Sequence, residues 1–180
     1  MENWLACGTR PGIYWRAMRE LPHTHSCFVC GESNASGLRL RFETDGRLVQ
    51  TRFTVRPEHI GFKDVMHGGL IATVLDEIMV WACAVGTRQF AYCAEFTVRF
   101  LNPVRPGELI IAEAELAENR KHRIFQAHAV LRDETGGVRS RATGKYLPLK
   151  TVAATEMAAD FVGDTRWILD AGLPLNHERD

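Results

Sequence analysis

Polar and apolar positions alternate along much of this chain, and the period changes once. Leu38, Leu40 and Phe42 alternate with Arg39, Arg41 and Glu43, which predicts a strand. Asp45-Gly46 follows as a hairpin turn, and the return strand is predicted over 48–55, where Pro57 closes it. Between 67 and 86 the period becomes helical, with Ile71, Val74, Leu75, Ile78 and Ala82 recurring on one face. Most remaining positions there are apolar too, so the helix is expected to be enclosed by protein and to stop at Gly86. Alternation then resumes over 91–101, 108–117, 123–132 and 138–148, four strands separated by an Asn-Pro/Pro-Gly loop and by turns at 118–121 and 133–137. Short helices are predicted over 13–20 and 156–169.

Two strands, one buried helix and four strands make an α+β domain with an antiparallel sheet wrapped around one long central helix. The expected division is an extension with a Cys/His loop over 1–36, the strand-rich domain over 37–148, and a C-terminal, helical extension over 149–180.

Composition narrows the function classes. The chain has 180 residues, 46% of them hydrophobic, enough for one core without staples. Lys+Arg and Asp+Glu are both 22, so there is no basic excess for a nucleic-acid partner. No uninterrupted run of 18 apolar residues occurs, so no membrane partner is expected. Residues 1–7 lack the basic start and apolar run of a secretion signal, and the cysteine count of 5 is odd. The expected setting is therefore cytoplasmic, with reduced thiols.

The candidate chemistry sits on the central helix. Gly68 and Gly69 follow His67 at its start, where backbone N–H groups lack intrahelical partners and the helix dipole is positive. Such an N–H, that of Gly68 first, suits an oxygen that gains negative charge during attack on a carbonyl. Asp76 is a carboxylate on an otherwise apolar helix, a placement that is costly unless the group is paired or functional. It is the candidate base or nucleophile, with Glu77 beside it in reserve. Gly68 and Asp76 lie roughly 12 Å apart along a helix, too far to act on one carbonyl within one chain. If both are catalytic, one must come from a second copy, so the minimum unit is a homodimer, alone or as a dimer of dimers.

His67-Gly68-Gly69 with Asp76 nine residues after the His resembles the signature of the hot-dog-fold acyl-CoA thioesterases of the PaaI-like type. His59-Ile60-Gly61 resembles the stretch before that signature, and 95–104 resembles the strand and Asn-Pro-Val turn after it. The resemblance covers about residues 37–148. It implies hydrolysis of an acyl-CoA to free acid and CoA, with no cofactor besides the CoA of the substrate. It also implies catalytic roles for Asp76, Gly68 and His67, and Gly69, Glu77, Cys93 and Gly61 at the substrate. Arg120 and Arg123, in a small basic turn, are candidates for the CoA phosphates. Two positions depart from the pattern. Gly61 stands where relatives carry Asn or Gln, and Cys93 where they carry Ser or Thr. A hot-dog hydratase or dehydratase, or a non-catalytic acyl-CoA binding protein, are the alternatives.

His23, His25, Cys27 and Cys30 include a Cys-x-x-Cys pair, and four zinc ligands are conceivable. A second Cys-x-x-Cys is absent, and four ligands within eight residues would strain a tetrahedron. The expectation is a structured loop without metal.

Overall fold

Residues 18–150 and 156–165 are described by the computed structural model. In chain order the elements are β1 (Arg19–Glu20), β2 (His23–Thr24), β3 (Glu43–Thr44), β4 (Leu48–Thr54), a 3-10 turn (Pro57–His59), β5 (Ile60–Phe62) and β6 (Val65–Met66). They continue with α1 (Gly68–Thr87), β7 (Ala91–Phe100), β8 (Leu109–Arg120), β9 (Ile124–Asp133), β10 (Val138–Pro148) and β11 (Phe161–Val162). The main sheet runs β1-β3-β4-β8-β9-β10-β7, antiparallel throughout. The helix packs on one face of it, chiefly against β8 and β9.

The sequence makes this close approach possible. In register across the middle strands, Ala114 pairs with Ala129 and Ala129 with Ala142, while Ala127 pairs with Gly144. These positions form a floor of small side chains. The bulk comes from the helix, whose Val74, Leu75, Ile78, Met79 and Trp81 are buried on it. An 18-residue window of α1 has mean hydropathy 1.6, a length and composition that would also suit a membrane span. Enclosure by the sheet accounts for that apolar character here.

Four details differ from the sequence expectation. The segment 38–42 keeps its alternation, with Leu38, Leu40 and Phe42 buried, but is not part of the ladder. Arg39 has φ 56, and Leu38 and Leu40 donate instead to the carbonyls of Phe28 and Val29. Only Glu43–Thr44 pairs with β4 across the Asp45-Gly46 turn. Gly86 does not end the helix; it lies inside it, where a Cβ would come within 2.7 Å of Leu116 Cδ2. Arg88, at φ 55, is the left-handed cap that ends it. The turn expected at 118–121 is displaced, since β8 runs on to Arg120 and Lys121 and His122 take positive φ.

The fourth difference concerns the ends. Arg19–Glu20 is a strand rather than the end of a helix, and the rest of 13–20 before Met18 lies outside the described residues. Of the helix expected over 156–169, residues 156–158 are helical, but Phe161–Val162 is a strand paired with His23–Thr24. Phe161 explains the change: it stacks on Phe90 at 5.2 Å and meets Trp81 edge-on at 5.9 Å. Residues 166–169 lie outside the described residues. Leu21, Val29 and Cys30 join the core, so part of the 1–36 segment packs into the domain.

Candidate active site

The β5–β6 hairpin delivers His67 to the start of α1. His67 N–H donates to the His59 carbonyl at 2.8 Å, and the His67 carbonyl accepts from Leu70 and Ile71. Its Nδ1 accepts the Gly69 N–H at 2.8 Å, so His67 is the N-cap of the helix. Gly69 therefore spends its N–H within the protein, and Gly68 supplies the first backbone donor at that end. Gly61 backs directly onto the cap: a Cβ there would lie 2.8 Å from His67 Cδ2. The absence of Asn or Gln at this position thus has a steric cause. Gly61, Phe62, Met66, His67, Gly68, Gly69, Ala72 and Phe100 line an open cleft of about 430 Å³.

Asp76 stands beyond that cleft, two turns along the helix. Its carboxylate accepts from Tyr146 Oη at 3.0 Å. Gly144 leaves the space for the Tyr146 ring, since a Cβ there would lie 2.7 Å from Cε2. A break in the β10–β7 register between Lys145 and Tyr146 lies at the same point. Tyr146 pairs in register with Cys93 on β7. Burial, and then the charge of Asp76, push the Tyr146 hydroxyl above its ordinary range. Burial first and Asp76 second push Cys93 up to about 11, and the same two causes push Cys83 up to about 12. Asp76 is thus lined by neighbours held in their protonated forms, Cys93 among them as a thiol.

Glu77 points elsewhere. Its Oε1 lies 3.8 Å from Cys27 Sγ, on the side of the 27–30 turn. Burial, then the nearby Cys27, push its carboxyl up to about 8. The Cys30 thiol, as hydrogen-bond partner, draws Cys27 down to about 5, and that same bond holds Cys30 up. One sulfur each from Cys27 and Cys30 and one oxygen of Glu77 lie within 4.8 Å of one another. His23 and His25 are not with them; both ring nitrogens reach Glu32, at 3.2 and 2.8 Å.

The expected site residues fall into four places, one of them that of Glu77 beside the 27–30 turn. His67, Gly68, Gly69 and Gly61 share the cleft, and Asp76, further along α1, meets Cys93 on β7. Arg120 and Arg123 belong to the β8–β9 tip, beside the C-terminal end of α1, where Leu116 meets Gly86. That end is roughly 27 Å from Gly68 along the helix axis. Arg120 is moreover paired with Glu118 at 2.9 Å. One residue escaped the sequence reading altogether: Tyr146. Its only signal was an inward-facing position on the last strand, two after a glycine.

Residues 63–140 match the thioesterase superfamily profile. Among solved structures, a thioesterase superfamily protein aligns with TM-score 0.63 and 24% identity, over 69% of this chain. The chain spans 60% of that protein's length. The Escherichia coli PaaI protein from the phenylacetic acid degradation operon aligns at TM-score 0.54 and 18% identity, over 57% of this chain and 73% of its own. A Streptococcus mutans protein bound to acetyl-CoA aligns at TM-score 0.54 and 15% identity, over 57% of this chain and 81% of its own. No curated protein matches the sequence. The architecture is the hot-dog fold.

Proposed function

We propose that this chain, whose residues 63–140 are those of the thioesterase superfamily on a PaaI-like hot-dog fold, hydrolyses an acyl-CoA thioester to the free acid and CoA. The observation that carries the reading is the separation of two complementary groups. The helix start offers a backbone donor in an open, mostly apolar cleft, and Asp76 offers a carboxylate oriented by Tyr146 but outside that cleft. A second copy, placing its Asp76 against the first copy's Gly68, would complete the site.

β7 supports that arrangement. It is the edge of the sheet, and Tyr92, Phe96 and Phe100 on it are exposed. A ten-residue edge strand bearing large apolar side chains is a surface that proteins ordinarily cover. Pairing of β7 with a partner's β7 would cover it and bring each cleft toward the partner's helix. The minimum unit in this reading is a homodimer, alone or as a dimer of dimers.

In the assembled site the thioester carbonyl oxygen accepts from Gly68 N–H, with the acyl chain along Phe62, Met66 and Phe100. Asp76 Oδ takes a proton from water as the water oxygen attacks the carbonyl carbon, or attacks that carbon itself. The negative charge that gathers on the carbonyl oxygen is held by the N–H and the helix dipole. In the water route collapse breaks the C–S bond and the CoA sulfur leaves with the proton that Asp76 took. In the direct route CoA leaves as the thiolate, and water then hydrolyses the acyl–Asp76 anhydride to the free acid, one proton going to the CoA sulfur and Asp76 returning to its carboxylate. The His67 cap keeps the Gly68 N–H aimed, a positioning role. No cofactor beyond the CoA of the substrate enters this scheme. The S. mutans protein was solved with acetyl-CoA and a Streptococcus pneumoniae relative with coenzyme A, which supports a CoA ester as the substrate.

The test is thiol release from a panel of acyl-CoA esters. Asp76→Ala is expected to lower kcat by roughly a hundredfold or more while leaving the fold and assembly unchanged. Equal thiol release by Asp76→Ala and wild type would reject this mechanism. Binding of acyl-CoA without cleavage of any ester would reject the hydrolase reading.

A further inference from the structure

The thioesterase scheme leaves Cys27, Cys30 and Glu77 unused. We propose that these three side chains form a structural zinc site that pins the 27–30 turn onto the central helix, one residue from Asp76.

The turn has the build of a metal-binding knuckle. Cys27-Phe28-Val29-Cys30-Gly31 curls so tightly that Gly31 N–H donates to the Cys27 carbonyl at 2.9 Å, and Val29 N–H donates to Cys27 Sγ at 3.2 Å. A Cβ on Gly31 would lie 2.2 Å from that carbonyl, so glycine alone fits after the second cysteine. The curl brings both sulfurs to one side, and a backbone N–H aimed at sulfur favours the thiolate that a metal needs.

The third donor comes from a different element, 50 residues away in sequence. Glu77 Oε1 lies 3.8 Å from Cys27 Sγ, and the three donor atoms all lie within 4.8 Å. Ligand bonds of about 2.3 Å to sulfur and about 2.0–2.2 Å to oxygen give tetrahedral edges of about 3.5–3.8 Å. The Cys27–Glu77 separation of 3.8 Å matches one such edge, and the other two separations, under 4.8 Å, need at most about 1 Å of closing to reach it. The inferred site has Cys2Glu ligation, with water in the fourth position.

The electrostatics of the cluster also call for a cation. Glu77 has no cationic partner among the described residues, and its charged neighbours, Cys27 and Asp76, are acidic. Ionised together, as metal ligands are, a carboxylate and two thiolates in a mostly buried place would be costly without a compensating charge. Outer groups are in position to steady the ligands. Thr24 Oγ1 lies 3.6 Å from Cys30 Sγ and accepts the Cys27 N–H at 3.0 Å, and Arg41 Nη1 donates to the Cys30 carbonyl at 2.9 Å. The indole N–H of Trp81, one helical turn after Glu77, is buried and acts on the Glu77 carboxyl as a donor. Two sulfurs and one oxygen favour zinc over the hard cations, which prefer all-oxygen sets. The histidines that sequence proximity suggests are held by Glu32 instead.

The experiment is a titration of the reduced, metal-stripped full chain with Co²⁺ and then Zn²⁺. The expected result is one equivalent of Co²⁺ with thiolate-to-cobalt absorption and tetrahedral d–d bands, displaced by one equivalent of Zn²⁺. Cys30→Ser should abolish the thiolate band. Glu77→Gln should weaken binding by roughly tenfold or more, and His25→Ala should leave it unchanged. Zn²⁺ should raise the thermal midpoint of wild type more than that of Glu77→Gln. Glu77→Gln keeps both cysteines, so the test survives if Cys30→Ser fails to fold. The proposal is overturned if no thiolate band appears while both thiols titrate as free. It is equally overturned if Glu77→Gln binds as tightly as wild type, or if Cys27 and Cys30 remain a disulfide in reductant. None of these readouts depends on thioester hydrolysis.

Discussion

Tyr146 Oη donates to the Asp76 carboxylate at 3.0 Å, from a strand position 70 residues away in sequence. The bond fixes one carboxylate oxygen; in the proposed mechanism the carboxylate it orients meets water or the carbonyl carbon. It also links the last strand of the sheet to the middle of the helix, so the proposed catalytic carboxylate is also a packing contact.

Removing that hydroxyl should separate the two roles. Tyr146→Phe retains the ring in the space beside Gly144 and loses one hydrogen bond to a charged group, worth about 1.5–3 kcal/mol of stability. The looser carboxylate should lower kcat roughly ten- to a hundredfold with little change in KM. Steady-state kinetics with thermal unfolding tests this. An unchanged kcat with a lowered midpoint would make the bond purely structural.

Gly61→Ala tests the cap from behind. The added methyl would stand 2.8 Å from His67 Cδ2 and 2.9 Å from its Cα, so the hairpin or the imidazole must shift. A cost of about 1–3 kcal/mol is expected, along with reduced turnover as the Gly68 N–H loses its alignment. A variant as stable and active as wild type would show that the cap tolerates displacement.

The exposed edge strand gives a test of assembly. Replacing Tyr92 with Lys and Phe96 with Asp puts charge where the proposed partner strand would lie, at no cost to the buried core. Light scattering should report a monomer with the circular dichroism of wild type, and thiol release should fall with the dimer. An active monomer would refute the shared site.

His59 gives a pH dependence of definite sign. Burial, then the neighbouring Arg56, hold its pKa below the ordinary 6.5. Between the two values the unfolded chain binds more protons than the folded one, so stability rises with pH there. The contribution is present above about pH 6.5 and is lost as pH falls toward the folded value. Other buried groups titrate in the same range, so the readout is a difference. The thermal midpoint of wild type should fall more steeply than that of His59→Gln between about pH 7 and pH 5. Parallel curves would contradict it.

The sequence by itself determined the central helix, the four long strands and the placement of His67, Gly68 and Asp76 on one element. Those features rest on local periodicity, on a glycine pair at a helix start, and on a lone carboxylate in an apolar run, all of which a linear pattern carries. The first strand and the reach of the C-terminal helix past 158 differ from the pattern for one reason. Alternation reports which side chains are buried, not what the backbone bonds to. Leu38 and Leu40 are buried as their pattern requires, yet their N–H groups bond to the 28–29 loop. Phe161 follows Phe90 and Trp81 rather than a helical neighbour.

Only the tertiary structure decided what surrounds the chemistry. Tyr146 on Asp76, and Glu77 beside Cys27 and Cys30, are contacts between elements 50 or more residues apart, set by strand register and by the rotation of α1. Asp76 and Glu77 look interchangeable in sequence. On a helix they point ~100° apart, and the fold gives one a hydroxyl from the sheet and the other two sulfurs from a loop.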